Sequence, residues 1–452
     1  MHGVHAVGGA AAKAELSLYR GLAAVPWRGP LAANTVAGTI CGWQAMLEGG
    51  KLPLERILRD AIFYAEDGVA VTEGGAITAA TKDADLREVA GYADVFRPDG
   101  RPLGAGDRLK QPALARTLRR LVREGLESFY RGDLARDIAA DLAAAGAPVS
   151  AADLAAHVVT RPRPLQTRVR AMTLYNAAPP TQGFASLLIL ALYDRLKGEG
   201  EFAHIHGLVE ATKRAFLLRD RHIHDPLHMD FDPQALLDDD AALDALAAGI
   251  DMARALPWPQ SPSGGDTVWF SVIDGEGRAV SAIQSTYFEF GSGLVLPQTG
   301  ITWQNRGASF RLSETGWNAL KPGRKPFHTL NPALAVFDDG RIMSYGAMGG
   351  EGQPQTQAAV FTRYAAGMGL QAAITAPRWL LGRTWGEASV TLKLEDRFDP
   401  ALYDALRQAG HAVECVVPFT STMGHAGALV RHADGRIDGA TDPRSDGGVA
   451  AW

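Results

Sequence analysis

A layered α+β architecture, with sheets covered by helices, is the fold class this sequence predicts. Three observations carry it. Helical periodicity dominates the chain up to Asp251, and strand-like alternation dominates from Thr267 onward. Between them lies Leu256 to Gly265, rich in Pro, Ser and Gly, which reads as an extended, mobile connection. Helices, two blocks of strands and further helices in that order fit layers built around a large core.

The elements follow in order. Leu52 to Asp67 reads as an amphipathic helix, and Gln111 to Tyr130 as the clearest one. Pro112 falls in its first turn, and Leu114, Leu118, Leu121, Val122 and Phe129 form one apolar stripe. A further helix covers Leu134 to Ala144, and Ser150 followed by Asp153 is a helix-start pattern. Val169 to Leu174 reads as a strand, followed by a turn at Pro179-Pro180 and by helices from Phe184 and from His204 to Arg219. The acidic stretch Asp230 to Asp251 reads as helical in its middle. After Thr267 come a hairpin, a second hairpin over Asn331 to Tyr345, and a helix over Gln355 to Ala366. A strand at Val390 to Leu394, a helix at Pro400 to Gln408, and paired strands at Ala426 to Val430 and Arg436 to Gly439 close the chain.

Composition excludes several function classes. The 452 residues are 46% hydrophobic and 21% charged, as in an ordinary globular protein. A net charge of −5 argues against a nucleic-acid or anionic-membrane surface. The longest apolar run, Phe184 to Tyr193, is too short to span a bilayer and reads as a buried helix. The start carries no basic stretch followed by an apolar core, so the expectation is a cytoplasmic protein, or a periplasmic one if a leader precedes it. Cys41 and Cys415 form no metal motif and read as two buried free thiols.

The chemistry centres on Thr267. Its strand runs to Asp274, turns through Gly275-Glu276-Gly277 and returns from Arg278 to Thr286. A three-residue loop closed by Asp274 and Arg278, with Gly277 at positive φ, puts Thr267 opposite Ser285. Facing Cβ atoms are about 4.5–5.5 Å apart, close enough for two hydroxyls to bond. A two-residue loop would shift the register and lose the pair. An edge hairpin with ordinary surface hydroxyls is the commoner use of such a pattern.

Other candidates are less specific. His204 and His206, and His222 and His224, are each spaced by two, which points the members of a pair apart on a helix; for these and His228 surface or capping roles are expected and no metal. Met348-Gly349-Gly350-Glu351-Gly352 follows a strand and precedes a helix, so its amides could cradle an anion or form an oxyanion hole. A tight turn is the plainer reading. G-x-S-x-G is absent, which disfavours a serine-triad hydrolase.

With these residues in place, the chain resembles the γ-glutamyltransferase family of N-terminal-nucleophile hydrolases from about Pro30 to Trp452. The likeness rests on Thr267, Ser271 to Asp274, Gly349-Gly350, Leu109 to Pro112, Ala178 to Gly183, Val209 to Phe216, Arg219-Asp220-Arg221 and Ala440 to Arg444, all in order. It implies a four-layer αββα sandwich and self-cleavage between Asp266 and Thr267. The expected products are a helix-rich region 1–266 and a region 267–452 carrying the nucleophile. Gly264 and Gly265 would let the chain bend into the attack. Ser285 is implied to orient the nucleophile, and Gly349 and Gly350 to form the oxyanion hole. No cofactor is implied, and the partners are a small-molecule amide and the second processed chain, with a higher homo-oligomer left open.

The substrate positions depart from the true transpeptidases. Arg306 and Ser309 stand where those enzymes use a glutamine and an acid, and Phe327-His328-Thr329 replaces a Ser-Ser context. Arginine suits a carboxylate rather than an ammonium group. The pattern is similar to the oxamate amidohydrolase and cephalosporin-acylase-like branch, with Arg306, Ser309, His328, Thr329 and Tyr287 as substrate contacts. A structural ion pair is an equal reading for Arg306. Glutathione-like γ-glutamyl chemistry and an uncleaved, inactive remnant are the rival functions. The helix and strand that precede residue 1 in the family have no counterpart, and no arginine occurs at Gly8 to Lys13, where the family's carboxylate-gripping one would fall, so a misplaced start or a fragment is expected.

Overall fold

The computed structural model describes residues 1–258, 266–382 and 389–452. These form two compact units, residues 2–162 with 286–326, and residues 163–285 with 327–452. Each unit contains residues from both sides of position 266.

The first unit is helical. It contains α1 (Thr39–Leu47), α2 (Leu54–Asp67), α3 (Glu73–Leu86), α4 (Tyr92–Phe96), α5 (Pro112–Glu124), α6 (Asp133–Ala145) and α7 (Ala151–Ala156). The strands β1 (Val69–Ala70) and β2 (Arg108–Leu109) pair antiparallel. Leu118 and Leu121 of the expected stripe are buried with Leu58, Tyr130, Leu134, Ile138 and Leu142. The long helix expected over Gln111 to Tyr130 stops at Glu124. Gly125 takes φ +82°, which carries the chain out of the helix, and Leu126–Phe129 continues as a 3-10 turn that buries Phe129. The Ser150 start is a full capping box, with Asp153 N–H donating to Ser150 Oγ and Ser150 N–H to Asp153 Oδ2 at 2.8 Å.

The second unit is built on a six-stranded antiparallel sheet. Its strands are β3 (Leu165–Val169), β4 (Met172–Asn176), β7 (Ala333–Phe337), β8 (Ile342–Met348), β12 (His425–Arg431) and β13 (Ile437–Thr441), after β5 (Asp266–Ile273) and β6 (Ala279–Tyr287) are set apart as a hairpin. The sheet order is β13-β12-β8-β7-β4-β3. A smaller sheet orders β11 (Val413–Val416), β10 (Leu392–Glu395) and β9 (Trp379–Leu381). The single strand expected at Val169 to Leu174 is instead the turn between β3 and β4, with Arg170 at φ +47°. Six apolar-leaning residues look the same in a strand as across a tight turn, and only the pairing of β4 with β7 separates the two.

Side chains alternate cleanly across this sheet. Leu174, Ala335, Met343, Tyr345, Ala428 and Val430 are buried on one face. There Tyr345 and Phe337 meet Phe361 of α12 (Gln353–Ala365). Helix α8 (Gly183–Arg195) covers the same face, with Phe184 to Leu192 almost wholly buried, as its apolar run predicts. Helices α9 (Gly200–His222), α10 (Pro233–Leu237), α11 (Asp240–Ala248), α13 (Leu370–Thr375) and α14 (Pro400–Gln408) complete the unit. No helix among the described residues is long and apolar enough to cross a membrane. Cys41 and Cys415 are free thiols, but neither is fully buried: Cys41 is half-buried, and Cys415 is exposed on the edge strand β11.

The opposite face of the sheet receives the hairpin. Trp269 lies flat on two glycines. A Cβ at Gly346 would be 2.1 Å from its ring and one at Gly427 2.4 Å away. Ser271 Oγ donates to Ser344 Oγ at 2.7 Å. Thr267, Trp269 and Ser271 therefore face the sheet, while Val268, Phe270 and Val272 point the other way and are exposed.

Five histidines, His5, His157 and His411 buried and His204 and His425 half-buried, are held uncharged near neutral pH. Burial is the first cause in each case, lowering His5, His157, His204 and His425 to about 4 and His411 to about 3. Their folded pKa values lie below the unfolded value near 6.5. The unfolded chain therefore binds more protons in this window, and stability rises with pH. Stability is expected to be complete above about pH 6.5 and to fall as pH drops toward 4, by up to about 1.4 kcal/mol per pH unit for each histidine. Urea midpoints measured from pH 7.5 to 4.5 check this. A flat profile would contradict it.

Candidate active site

Thr267 is the second residue of β5 and 8% exposed. Its Oγ1 donates to Ser285 Oγ at 3.2 Å across the hairpin. The distant turn holds this register. Asp274 N–H donates to Arg278 O and Gly277 N–H to Asp274 O, both at 3.0 Å, with Gly277 at φ +86°. The Asp274 carboxylate accepts from the Glu276 and Arg278 amides and from Arg278 Nε, and these bonds, the Arg278 side chain first, hold its carboxyl below the usual range. Residues 259–265, including Gly264 and Gly265, lie outside the described residues, as does the side chain of Asp266.

Gly349 and Gly350 occupy the turn between β8 and α12. Their φ values of +134° and +51° are ones that side-chain-bearing residues rarely adopt. Gly352 N–H donates to Gly349 O at 2.7 Å, closing the turn. Behind it lies a contact that local sequence does not announce. Gln182, at the start of α8, donates from Nε2 to Gly350 O at 2.8 Å and to Thr329 O at 2.7 Å. Its backbone N–H donates to His328 O at 3.0 Å. His328, Thr329 and the glycine pair are thereby tied to one side chain.

Gln182 is itself held by Arg219. The guanidinium is 1% exposed, donates to Gln182 Oε1 at 3.0 Å, and pairs with Asp220 at 2.7 Å and Glu351 at 2.5 Å. It also lies 3.9 Å from the Phe216 ring centroid. Burial works against its charge, but Asp220 and then Glu351 more than offset this and hold it above the usual arginine value. Gln182 and Arg219 belong to motifs visible in the sequence, yet nothing there assigned them a place under the glycine turn.

Arg306, Ser309 and Tyr287 belong to the helical unit. The Arg306 guanidinium lies 3.7 Å from the Tyr287 ring centroid, and Arg306 is 7% exposed. Ser309 Oγ donates to Arg306 O at 3.1 Å, and Asn318 Nδ2 to Ser309 O at 2.7 Å.

The histidines depart from expectation. His206 is fully buried because this part of α9 packs against α8, α12 and α14, and His224, just beyond α9, is buried too, whereas His228 is exposed as expected. His206, Glu210 and His411 bring three donor atoms within 4.8 Å of one another. Spacing along one helix cannot reveal His411, which arrives from the far side of α14. Lys213 Nζ already lies 2.7 Å from Glu210 Oε1, so the acid has a cationic partner from the chain itself.

The site thus offers a part-buried hydroxyl pair across a hairpin and a glycine turn at a helix start, the kind of parts an amide hydrolase uses. The gamma-glutamyltranspeptidase family model matches residues 1–452, and the chain belongs to that family of enzymes. It is 53% identical to the oxamate amidohydrolase proenzyme of Klebsiella pneumoniae over 99% of this chain and 87% of that protein. It is 40% identical to the glutathione hydrolase-like YwrD proenzyme of Bacillus subtilis over 95% of this chain and 83% of that one. The structure is similar to that of cephalosporin acylase from Bacillus halodurans, with a TM-score of 0.90 and 32% identity over 100% of this chain and 84% of that one.

Proposed function

We propose that the chain is an amidohydrolase that cuts itself between Asp266 and Thr267 and then uses Thr267 as nucleophile on an amide whose acyl part carries a carboxylate. The products are the chains 1–266 and 267–452. The observation that carries this reading is the hydroxyl pair of buried Thr267 and half-buried Ser285 on the face of β5 turned toward the sheet. The released α-amino group, with a reference pKa of about 7.7–8.0, serves as the general base for its own hydroxyl.

The contacts along β5 step in register with β8. Ser271 meets Ser344 and Trp269 meets Gly346, so the next step sets Thr267 level with Met348, beside Gly349 and Gly350. This supports those two amides as the oxyanion hole. The hairpin on the sheet face opposite α8 and α12 supports the two inner layers of an αββα sandwich. A buried arginine stacked on Tyr287 supports a carboxylate-bearing acyl group, with Arg306, Ser309, His328 and Thr329 as its contacts. The oxamate amidohydrolase likeness points the same way, while the YwrD likeness favours γ-glutamyl amides as the second reading.

Intact-mass analysis of the purified protein tests the first half, with two chains beginning at residues 1 and 267 as the expected result. Turnover of oxamate, a glutaryl amide and a γ-glutamyl anilide tests the second. Preference for the anilide would overturn the role of Arg306.

A further inference from the structure

A buried polar network joins α9 to residues 251–256 and to the turn after α14. His206 Nε2 lies 2.9 Å from Asp251 O. A carbonyl only accepts, so Nε2 carries the proton and Nδ1 accepts from His411 Nε2–H, also at 2.9 Å. Glu210 Oε1 accepts from Lys213 Nζ at 2.7 Å, and Glu210 Oε2 from Leu256 N–H at 3.0 Å. Lys213 Nζ also donates to Leu256 O at 2.6 Å, and Ala255 N–H to Ala409 O at 2.7 Å. His206, Glu210 and Lys213 are 0–2% exposed. The ammonium and the carboxylate bond each other and the backbone of one short segment, and the His206 imidazole bonds His411 and that same backbone.

That segment lies ten residues before the proposed cleavage point. His206, Glu210, Lys213 and residues 251–256 fall upstream of it, whereas Ala409 and His411 fall downstream. We propose that the network is an interchain latch: once the chain is cut, it keeps residues 251–256 seated and ties the upstream chain to the downstream one. The latch rests on the self-cleavage proposed above. It confines the cut end to the reach of ten residues, about 34 Å at full extension. It also works without burying a net charge, since Lys213 and Glu210 neutralise each other.

Hydrogen exchange on the processed wild-type protein tests this directly. The amides of Ala255 and Leu256 are expected to exchange at least tenfold more slowly than an unstructured segment, and unprotected amides would overturn the latch. In Glu210→Gln/Lys213→Met and in His411→Phe, protection of those amides is expected to fall about tenfold. The two chains should also separate on gel filtration at lower urea than in the wild type. Leu243→Ala, in α11, is the comparison variant for plain loss of stability. Equal loosening of residues 251–256 in that variant would make the network ordinary core and sink the proposal. A wild-type chain that is never cut overturns the self-cleavage reading and the latch with it. A cut protein with unprotected residues 251–256 overturns the latch alone.

Discussion

Thr267→Ala is expected to leave the chain uncut at 48.1 kDa, with no fragment beginning at residue 267 after prolonged incubation, and with no measurable amide hydrolysis. In the proposed reaction the Thr267 oxygen bonds to the carbonyl carbon of residue 266 as the peptide C–N bond breaks. Water then resolves the ester and leaves a free amino group on Thr267. Without the hydroxyl, neither this step nor acyl transfer from substrate has a nucleophile. Removing a nucleophile that acts with its base costs on the order of 10⁶ in turnover, or about 8 kcal/mol. Thr267→Ser should still be cut. Ser285→Ala separates the two hydroxyls. It removes only the 3.2 Å acceptor of the Thr267 hydroxyl, so cutting should slow yet proceed. Intact mass spectra taken over time read all three variants. Cleavage in Thr267→Ala, or its abolition only in Ser285→Ala, would move the nucleophile to another residue.

Gln182→Leu and Arg219→Lys are expected to lower kcat about a hundredfold with little change in KM. Gln182 holds the carbonyl of Gly350 and so restrains the φ and ψ rotations of that glycine, which would otherwise turn its own N–H, one of the two proposed oxyanion donors. Arg219 holds Gln182 and Glu351 together. Losing one oxyanion donor typically costs 10²–10³ in kcat, and a turn free to rotate its amides away approaches that loss. Lysine cannot replace the planar fork that reaches Gln182, Asp220 and Glu351 at once. Lysine keeps the charge but leaves buried acceptors of this cluster without a donor, which lowers stability by roughly 1–3 kcal/mol. Thermal midpoints should therefore fall in Arg219→Lys more than in Gln182→Leu. Steady-state kinetics on the processed enzyme check the catalytic effect. An unchanged kcat in a destabilised variant would reduce this brace to scaffolding.

Much of the candidate site was legible because it is local. The Thr267–Ser285 facing follows from one turn, where Asp274, Gly277 and Arg278 leave a single comfortable register for the strands on either side. The Ser150 capping box and the start of α14 follow in the same way, from side chains that satisfy backbone groups two or three residues away. The Gly349-Gly350 turn was readable because two glycines between a strand and a helix tolerate backbone angles that other residues avoid.

The sequence by itself determined the hairpin, its hydroxyl pair, the glycine turn and the alternation of faces along the strands, because these depend on interactions spanning a few residues. Tertiary structure alone decided where those parts meet. Gln182 reaches the carbonyls of Thr329 and Gly350 across 147 and 168 residues of sequence, and His206 reaches His411 across 205. It also decided that Val169 to Leu174 turns back on itself and that α9 around His206 is enclosed rather than wet. Burial and partner choice at such distances are set by the packing of whole layers, which no local window of sequence contains.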